Sequence, residues 1–511
     1  MNNLNFLVDV LKDSPVFKTL EKNVKPGRTV CASGLSTINK SNIIYALCRL
    51  KDVTAFCLAS DEKEAQTLCN DLSCMGLRAY VYPVRDFNFL DFQSRSHEYE
   101  HARLKVLLKL LNHECDVAIA CVDAAAQLTV PRNVLEQSVI EFEEGRELSL
   151  EKATKALTLL GYERFDAVEG SGQFSLRGGI LDFFMPDSEY PVRCEFWGDE
   201  ITDLSYFDIE TQRRFKKADK ITLSPSTEIV IEDRAALADK IEHKAKLLRS
   251  KNSAKAKEKL FSEAELIRSG AMIANADKFI NQIYDKPESL FDYLDRNTLV
   301  FASEFTAIQE RGKSMDFISN ETLMQGFEDG TLCRGFDRFA LTFNECTEFL
   351  QSHGTIVLEN FVHGSMPLKL SEIISFSTKQ LSAWGGSYKQ LKEDVDGLFT
   401  PESKGVIFAG TERAAKNLCD TFNADGINAV YSEGADKISK GELLVMQGAL
   451  SAGFEYPSQK FFAITYSQVS YRPEKSKRNK KRLDRKFTAF PSLPPVIMLY
   501  TMFTVSVCSA V

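Results

Sequence analysis

Two short stretches carry residue types at spacings that could do chemistry. The first is Gly34-Leu35-Ser36-Thr37-Ile38-Asn39-Lys40-Ser41. It is close to G-x-x-x-x-G-K-[ST], a pattern in which backbone N–H groups and a helix start cradle phosphates, a lysine meets their charge and a hydroxyl holds magnesium. Asn39 takes the place of the second glycine, and asparagine is among the few residues that tolerate left-handed backbone. The sequence offers neither an apolar strand ending in an acidic pair to hold the metal nor an arginine-finger motif. Gly34, Asn39, Lys40 and Ser41 are therefore expected to form a degenerate nucleotide loop that keeps its packing, not a working ATPase. The second stretch is His97-Glu98-Tyr99-Glu100-His101, which fits H-E-x-x-H. On a helix its two histidines would share a face, and the glutamate could activate a zinc-bound water. His113 and Glu114 are the nearest candidates for a third ligand, and no further signature supports either. The plainer reading is a helix start, with Ser94 and Ser96 as caps and acidic residues favouring the dipole. No metal site and no catalytic residue are expected.

The elements that would position these stretches follow from periodicity. Thr29–Ala32, Thr54–Ala59 and Val117–Val122 are short apolar runs that read as buried strands. Lys40–Leu50, Glu62–Met75 and Glu98–Leu111 repeat apolar residues at helical spacing. This βαβ rhythm predicts a parallel sheet covered by helices over residues 1–125. Residues 126–215 change to alternating strands with Gly-Gly and Pro punctuation, as antiparallel sheet does. Residues 216–345 return to helical and α/β patterns, including a long charged amphipathic stretch from Ala235 to Ser269. The simplest topology inserts the β-rich unit within the α/β domain. A second, smaller α/β domain is expected over 346–466, marked by Gly405–Ala409, the helix Glu412–Phe422, and strands at Glu442–Met446 and Lys460–Ile464. A basic stretch follows at 467–490. Its like-charged core, residues 475–486, reads as a solvated linker, with a nucleic-acid or polymerase contact as the functional alternative.

Bulk properties narrow the classes. The chain has 511 residues, 44% of them apolar and 26% charged, ordinary values for a soluble chain with real cores. Its net charge of −8 excludes a general polyanion binder. Twelve cysteines include no C-x-x-C pair, and Cys57, Cys121 and Cys194 lie in apolar runs as small core residues. Asp9 and Asp13 interrupt what would have to be a signal sequence. No stretch reaches the roughly 18–20 apolar residues of a membrane helix. A reduced, cytoplasmic protein without membrane contact is expected.

One β-rich segment stands apart. It runs Gln173-Phe174-Ser175-Leu176-Arg177-Gly178-Gly179-Ile180-Leu181-Asp182-Phe183, then Tyr190-Pro191-Val192-Arg193-Cys194-Glu195-Phe196-Trp197-Gly198-Asp199-Glu200-Ile201. Alternation sends Val192, Cys194 and Phe196 to one face, and Arg193, Glu195 and Trp197 to the other. Phe174 and Leu176 should point inward, with Ser175 and Arg177 outward. Gly178-Gly179 suggests a bulge or a close backbone approach. Outward Trp and Arg are over-represented among interface hot spots. The plainer alternative is Trp197 lying over an arginine stem on an inert sheet. The residues alone support both readings equally.

These residues resemble a known family. The bacterial transcription-repair coupling factors (the Mfd family) and the excision-repair protein UvrB share a domain with patterns close to G-x-F-x-x-R-G-G-I-L-D, Y-P-V-R-x-E-F-[FW]-G-D-E-I and F-D-x-x-[TS]-Q-R. The last is matched here by Phe207-Asp208-Ile209-Glu210-Thr211-Gln212-Arg213. In the family this domain docks onto UvrA, and the resemblance carries that role to Arg177, Arg193 and Trp197, the last usually Phe. Flanking segments are similar to the coupling factor rather than to UvrB: Gly34-Leu35-Ser36, Arg85-Asp86-Phe87 with Ser94-Arg95-Ser96, Ser375–Leu381, Gln390–Asp394, and Leu450-Ser451-Ala452-Gly453-Phe454-Glu455-Tyr456-Pro457. The resemblance runs from about residue 20 to about 490. It implies a helicase-like parallel-sheet α/β domain, an inserted β-rich module like UvrB's second domain, and a second α/β domain.

The family continues into an RNA polymerase-binding domain and an ATP-driven DNA translocase, neither of which is expected in this chain. Residues 491–511 instead form an apolar tail, expected to be an aberrant remnant produced by a frameshift near Phe490. Regrouped codons there could encode the family's S-E-L-x-P-G-D-Y-V-V-H continuation. The resemblance therefore implies the UvrA-recruiting part of a transcription-coupled nucleotide-excision repair factor. ATP and magnesium, RNA polymerase and double-stranded DNA would be engaged only in the full-length family. The alternative is an active UvrB-like, ATP-dependent repair helicase or excinuclease subunit working through Lys40.

Overall fold

The computed structural model describes residues 4–85, 97–249, 253–270, 276–361, 366–381 and 388–466. The expected caps at Ser94 and Ser96, Asp86-Phe87, the basic stretch and the tail lie outside the described residues.

Two amphipathic helices open the chain, α1 (Asn5–Lys12) and α2 (Pro15–Asn23). Ser14 caps α2 by accepting from the Phe17 N–H, with Pro15 in the first turn. The expected βαβ rhythm follows as β1 (Val30–Ser33), α3 (Thr37–Lys51), β2 (Ala55–Ala59), α4 (Glu62–Cys74), β3 (Ala79–Tyr82), α5 (Glu98–Leu111), β4 (Val117–Cys121) and the short α6 (Val122–Ala126). Strands β1, β2 and β4 are buried along their whole length. That is why they read as unbroken apolar runs rather than alternating ones. Cys57 and Cys121 lie among them as free, buried thiols, as Cys194 does further on.

The chain then leaves this sheet. After α7 (Arg132–Gln137) come β5 (Ile140–Glu143), α8 (Leu150–Leu159), β6 (Glu163–Arg164), β7 (Gln173–Arg177), β8 (Ile180–Phe183), β9 (Val192–Trp197), β10 (Glu200–Phe207), β11 (Arg214–Lys217) and β12 (Lys220–Leu223). Six of these form a sheet in the order β11-β10-β9-β8-β7-β6, antiparallel except for β6 with β7, while β5 and β12 pair as a separate ribbon. The module therefore extends past the expected boundary at residue 215, because β12 closes on β5. Its core gathers Phe174, Leu181, Phe183, Val192, Cys194, Phe196 and Leu204 from one sheet face against Ala153 and Leu157 of α8.

Residues after the module return to the first sheet. The charged stretch from Ala235 is two helices, α9 (Arg234–Leu247) and α10 (Ser253–Arg268), packed on each other over Leu237, Ile241, Leu260 and Ile267. Then come α11 (Ile280–Ile283), β13 (Leu299–Ser303), α12 (Phe305–Glu328), α13 (Phe343–His353), β14 (Thr355–Leu358) and β15 (Glu372–Ser375). The completed sheet is seven-stranded and all parallel, in the order β15-β1-β14-β13-β2-β4-β3. The β-rich module is thus an insertion between β4 and β13. The expected boundary at 346 is corrected by the pairing: β14 and β15 lie beyond it but hydrogen-bond to β1, so this sheet runs to Ser375.

The second α/β sheet comprises β16 (Lys379–Leu381), α14 (Tyr388–Leu398), β17 (Lys404–Phe408), α15 (Glu412–Ala424), β18 (Ala429–Tyr431), β19 (Glu442–Met446), β20 (Gly453–Tyr456) and β21 (Phe461–Thr465). Its order is β16-β20-β21-β17-β19-β18, parallel except where β20 pairs with β16 and β21. Helix α3 is buried from Ile38 to Cys48 because it serves two cores. Its Ile43, Ile44 and Leu47 share one cluster with Leu444, Phe454 and Tyr456 of the second sheet.

Candidate docking face and the loop at Gly34

Cross-strand partners in an antiparallel sheet point to the same side. The register pairs Ser175 with Asp182, Asp182 with Arg193, and Arg193 with Ser205. A second row joins Arg177, Ile180, Glu195 and Asp203. Both rows lie on the face away from the Phe174–Leu204 core, and Trp197 continues that face at the end of β9. The structure thus brings Arg177, Arg193 and Trp197 onto one face, but with different exposure. Trp197 is 79% exposed, the Arg177 side chain 50% and the Arg193 side chain 13%.

Asp182 explains the difference. Its carboxylate is 1% exposed and accepts from Arg193 Nε at 2.7 Å and Nη2 at 2.8 Å, and from Arg177 Nη2 at 2.7 Å. The two contacts to Arg193 are a fork-to-fork pair, which fixes direction as well as charge. Arg193 also donates to the Gln212 carbonyl at 3.1 Å and Oε1 at 3.2 Å, and lies over the buried Phe207 ring at 4.4 Å. The Asp182 carboxylate beside it holds its guanidinium above the usual arginine range. Arg193 is therefore a strut within the sheet, while Arg177 and Trp197 are the exposed residues of the three. The arginine stacking seen within this sheet is that of Arg193 on Phe207.

Three local expectations change. Ser175 is on the outward side but buried, its hydroxyl donating to the Asp166 carbonyl. Glu195 is half-buried and paired with Arg214, which also donates to Asp203 at 2.9 Å. Gly178-Gly179 is a two-residue hairpin turn between the paired Arg177 and Ile180 rather than a bulge. The close approach there is real: Gly178 takes φ +62°, and a Cβ on Gly179 would stand 2.7 Å from the Phe196 carbonyl oxygen. The bulges lie elsewhere, at Thr202 of β10 between Ile201 and Asp203, and at Phe215 of β11 opposite Tyr206 and Phe207. Sequence reasoning missed Asp182 as a site residue. Its signal was an acid inside the apolar run Ile180–Phe183, at the register that faces two arginines.

The Gly34–Ser41 stretch forms the expected strand–turn–helix. Gly34 has φ +80°, and a Cβ there would come within 2.2 Å of the Phe376 carbonyl oxygen. The Gly34 and Leu35 N–H groups donate to the carbonyls of Asn360 and Glu359, both at 3.1 Å. Lys40 is 1% exposed, and its ammonium meets Glu304 at 2.5 Å, the Ser303 hydroxyl at 3.0 Å and Glu64 at 3.5 Å. Asn39 is buried and accepts from the Ser36 hydroxyl at 2.6 Å. Ser41 donates to Asp71 at 3.3 Å, and Asp71 accepts from the Ser451 N–H and hydroxyl, both at 2.7 Å. The Lys40 ammonium, the Ser41 hydroxyl and the Gly34 and Leu35 N–H groups are all engaged by the protein itself, so the residues present do not fit a nucleotide with its magnesium.

His97 and His101 lie on one face of the α5 start with rings 5.9 Å apart, but they serve different partners. His97 Nδ1 pairs with Glu100 at 3.0 Å and His101 Nε2 with the Ser226 hydroxyl at 3.2 Å. Burial holds the His101 imidazole below its usual pKa. His113 and Glu114 follow the far end of α5, about 20 Å away at 1.5 Å per residue. Among the described residues no group of three or more His, Cys, Asp or Glu side chains is gathered to hold a metal ion. No helix among them is long and apolar enough to cross a membrane.

The family model of the UvrB interaction domain matches residues 140–229, the span from β5 to just beyond β12. Similarity to curated proteins covers nearly the whole chain. It is 26% identical over 487 residues to a transcription-repair-coupling factor of Bacillus subtilis (strain 168), covering 93% of this chain and 41% of that protein. A transcription-repair-coupling factor of Staphylococcus haemolyticus (strain JCSC1435) is 24% identical over 492 residues, with 93% and 41% covered. The chain thus spans about two-fifths of the length of the curated relatives it matches. It is homologous to the amino-terminal part of the transcription-repair-coupling factors and carries their UvrB interaction domain.

Proposed function

We propose that this chain docks onto UvrA through the outer face of β7–β10, with Arg177 and Trp197 as contact residues and Arg193 as their support, and so recruits UvrA in transcription-coupled nucleotide-excision repair. The observation that carries the reading is the coincidence of an exposed tryptophan and a braced arginine pair with the stretch that matches the UvrB interaction domain. Exposed Trp and Arg beside well-ordered charge networks are the usual make-up of interface hot spots. Contacts with stalled RNA polymerase and double-stranded DNA, and the use of ATP with magnesium, belong in this proposal to parts of the relatives that lie outside the matched two-fifths. The setting proposed is the cytoplasm.

The proposed organisation keeps the parallel α/β body, the inserted module from 126 and the second α/β domain, with the module closing at Leu223 and the second domain starting after Ser375. Titrating purified UvrA onto the wild-type chain and onto an Arg177→Ala/Arg193→Ala pair tests the docking face. Loss of binding by a folded double variant is expected; equal affinity would overturn the assignment.

A further inference from the structure

The nucleotide loop is filled from within. Glu304 lies at the junction of β13 and α12 with φ +57°, a left-handed backbone that strains a non-glycine residue. Such strain persists where the surrounding structure holds it for a purpose. Here it brings one carboxylate oxygen, Oε1, to both Lys40 Nζ at 2.5 Å and the Asn360 N–H at 3.0 Å. Glu64 and Ser303 complete the shell, the Ser303 hydroxyl donating to Glu64 at 2.6 Å. Glu359 adjoins them. Burial and the neighbouring Glu304 push its carboxyl up to about 7.

In a phosphate-binding loop the lysine neutralises the terminal phosphates. Here a protein carboxylate does so, in a site where Lys40 is nearly sealed from water. An incoming phosphate would have to displace Glu304 and then stand among Glu304, Glu64 and Glu359, against like-charge repulsion. We infer that Glu304 is a built-in anion occupying the phosphate position beside Lys40, and that this carboxylate, rather than Asn39 in place of glycine, closes the loop to nucleotides over a latent polyanion site. The inference is independent of the docking face.

Calorimetric titration of the full chain with inorganic pyrophosphate, and separately with Mg-ATP, tests it. The wild type and Asn39→Gly should show no binding. Glu304→Ala should bind pyrophosphate at least tenfold more tightly than either, and adding Lys40→Ala should abolish the gain. Glu304→Gln, which keeps the side-chain shape, provides a second folded variant and should also gain affinity. Binding by the wild type or by Asn39→Gly alone would overturn the inference. So would failure of both Glu304 variants to bind while melting as folded proteins.

Discussion

Asp182 and Arg193 form a two-pronged pair across β8 and β9, with both carboxylate oxygens engaged at 2.7 and 2.8 Å and the carboxylate shut away from water. Breaking a buried pair by removing one partner leaves the other charge uncompensated, at a cost of about 3–5 kcal/mol when both are fully buried. Arg193 retains some exposure, so Asp182→Ala is expected to cost about 2–3 kcal/mol. Adding Arg193→Met should recover part of that loss. Urea denaturation of the single and double variants measures both; an Asp182→Ala midpoint equal to wild type would show that the pair contributes nothing.

The two turn glycines should separate. Gly178 needs its left-handed backbone but has open space, so Gly178→Ala should cost about 1 kcal/mol. Gly179→Ala places a methyl group 2.7 Å from a backbone oxygen that cannot swing away, and strain of that kind costs about 1–3 kcal/mol. Denaturation should therefore rank Gly179→Ala as the more destabilised, and the reverse order would contradict the close approach to Phe196.

Asp71 predicts a pH dependence. Burial raises its carboxyl from 3.8 to about 6, against the opposing hydrogen bonds from Ser451 and Ser41. The folded state thus holds this proton more tightly than the unfolded state. The associated stability is present below about pH 4 and is lost as the pH rises through about 6. Asp71→Asn cannot titrate. The stability of the wild type relative to this variant should therefore fall between pH 4 and pH 7, by at most about 3 kcal/mol. A difference that stays flat across that range would contradict the shift.

Much of this was legible because it is local. The unbroken apolar runs at β1, β2 and β4 announced strands covered on both faces, and alternation in β9 placed Val192, Cys194 and Phe196 against the core. What stayed hidden depends on partners far along the chain. The strand β14 looks like any buried strand and β15 is a short edge strand, and nothing in their periodicity says that they return to β1. Lys40 meets Glu304, 264 residues away, so the loop's occupant could not be read from its motif. Alternation gives Arg193 its side of the sheet, but its burial comes from Asp182, Phe207 and Gln212 together. Gly178-Gly179 reads as a bulge or a close backbone approach because hairpin and bulge share the same glycine signal, and only the pairing of Arg177 with Ile180 separates them.

The docking claim rests most directly on Trp197, whose side chain is exposed and outside the core. Trp197→Ala should leave stability within about 0.5 kcal/mol of wild type and weaken UvrA binding by about thirtyfold or more, the effect of losing a 2 kcal/mol hot spot. Calorimetric titration of UvrA onto the wild type and this variant, with thermal melts of both, decides it. Unchanged melting with lost binding is the predicted result; unchanged affinity would contradict docking through this face.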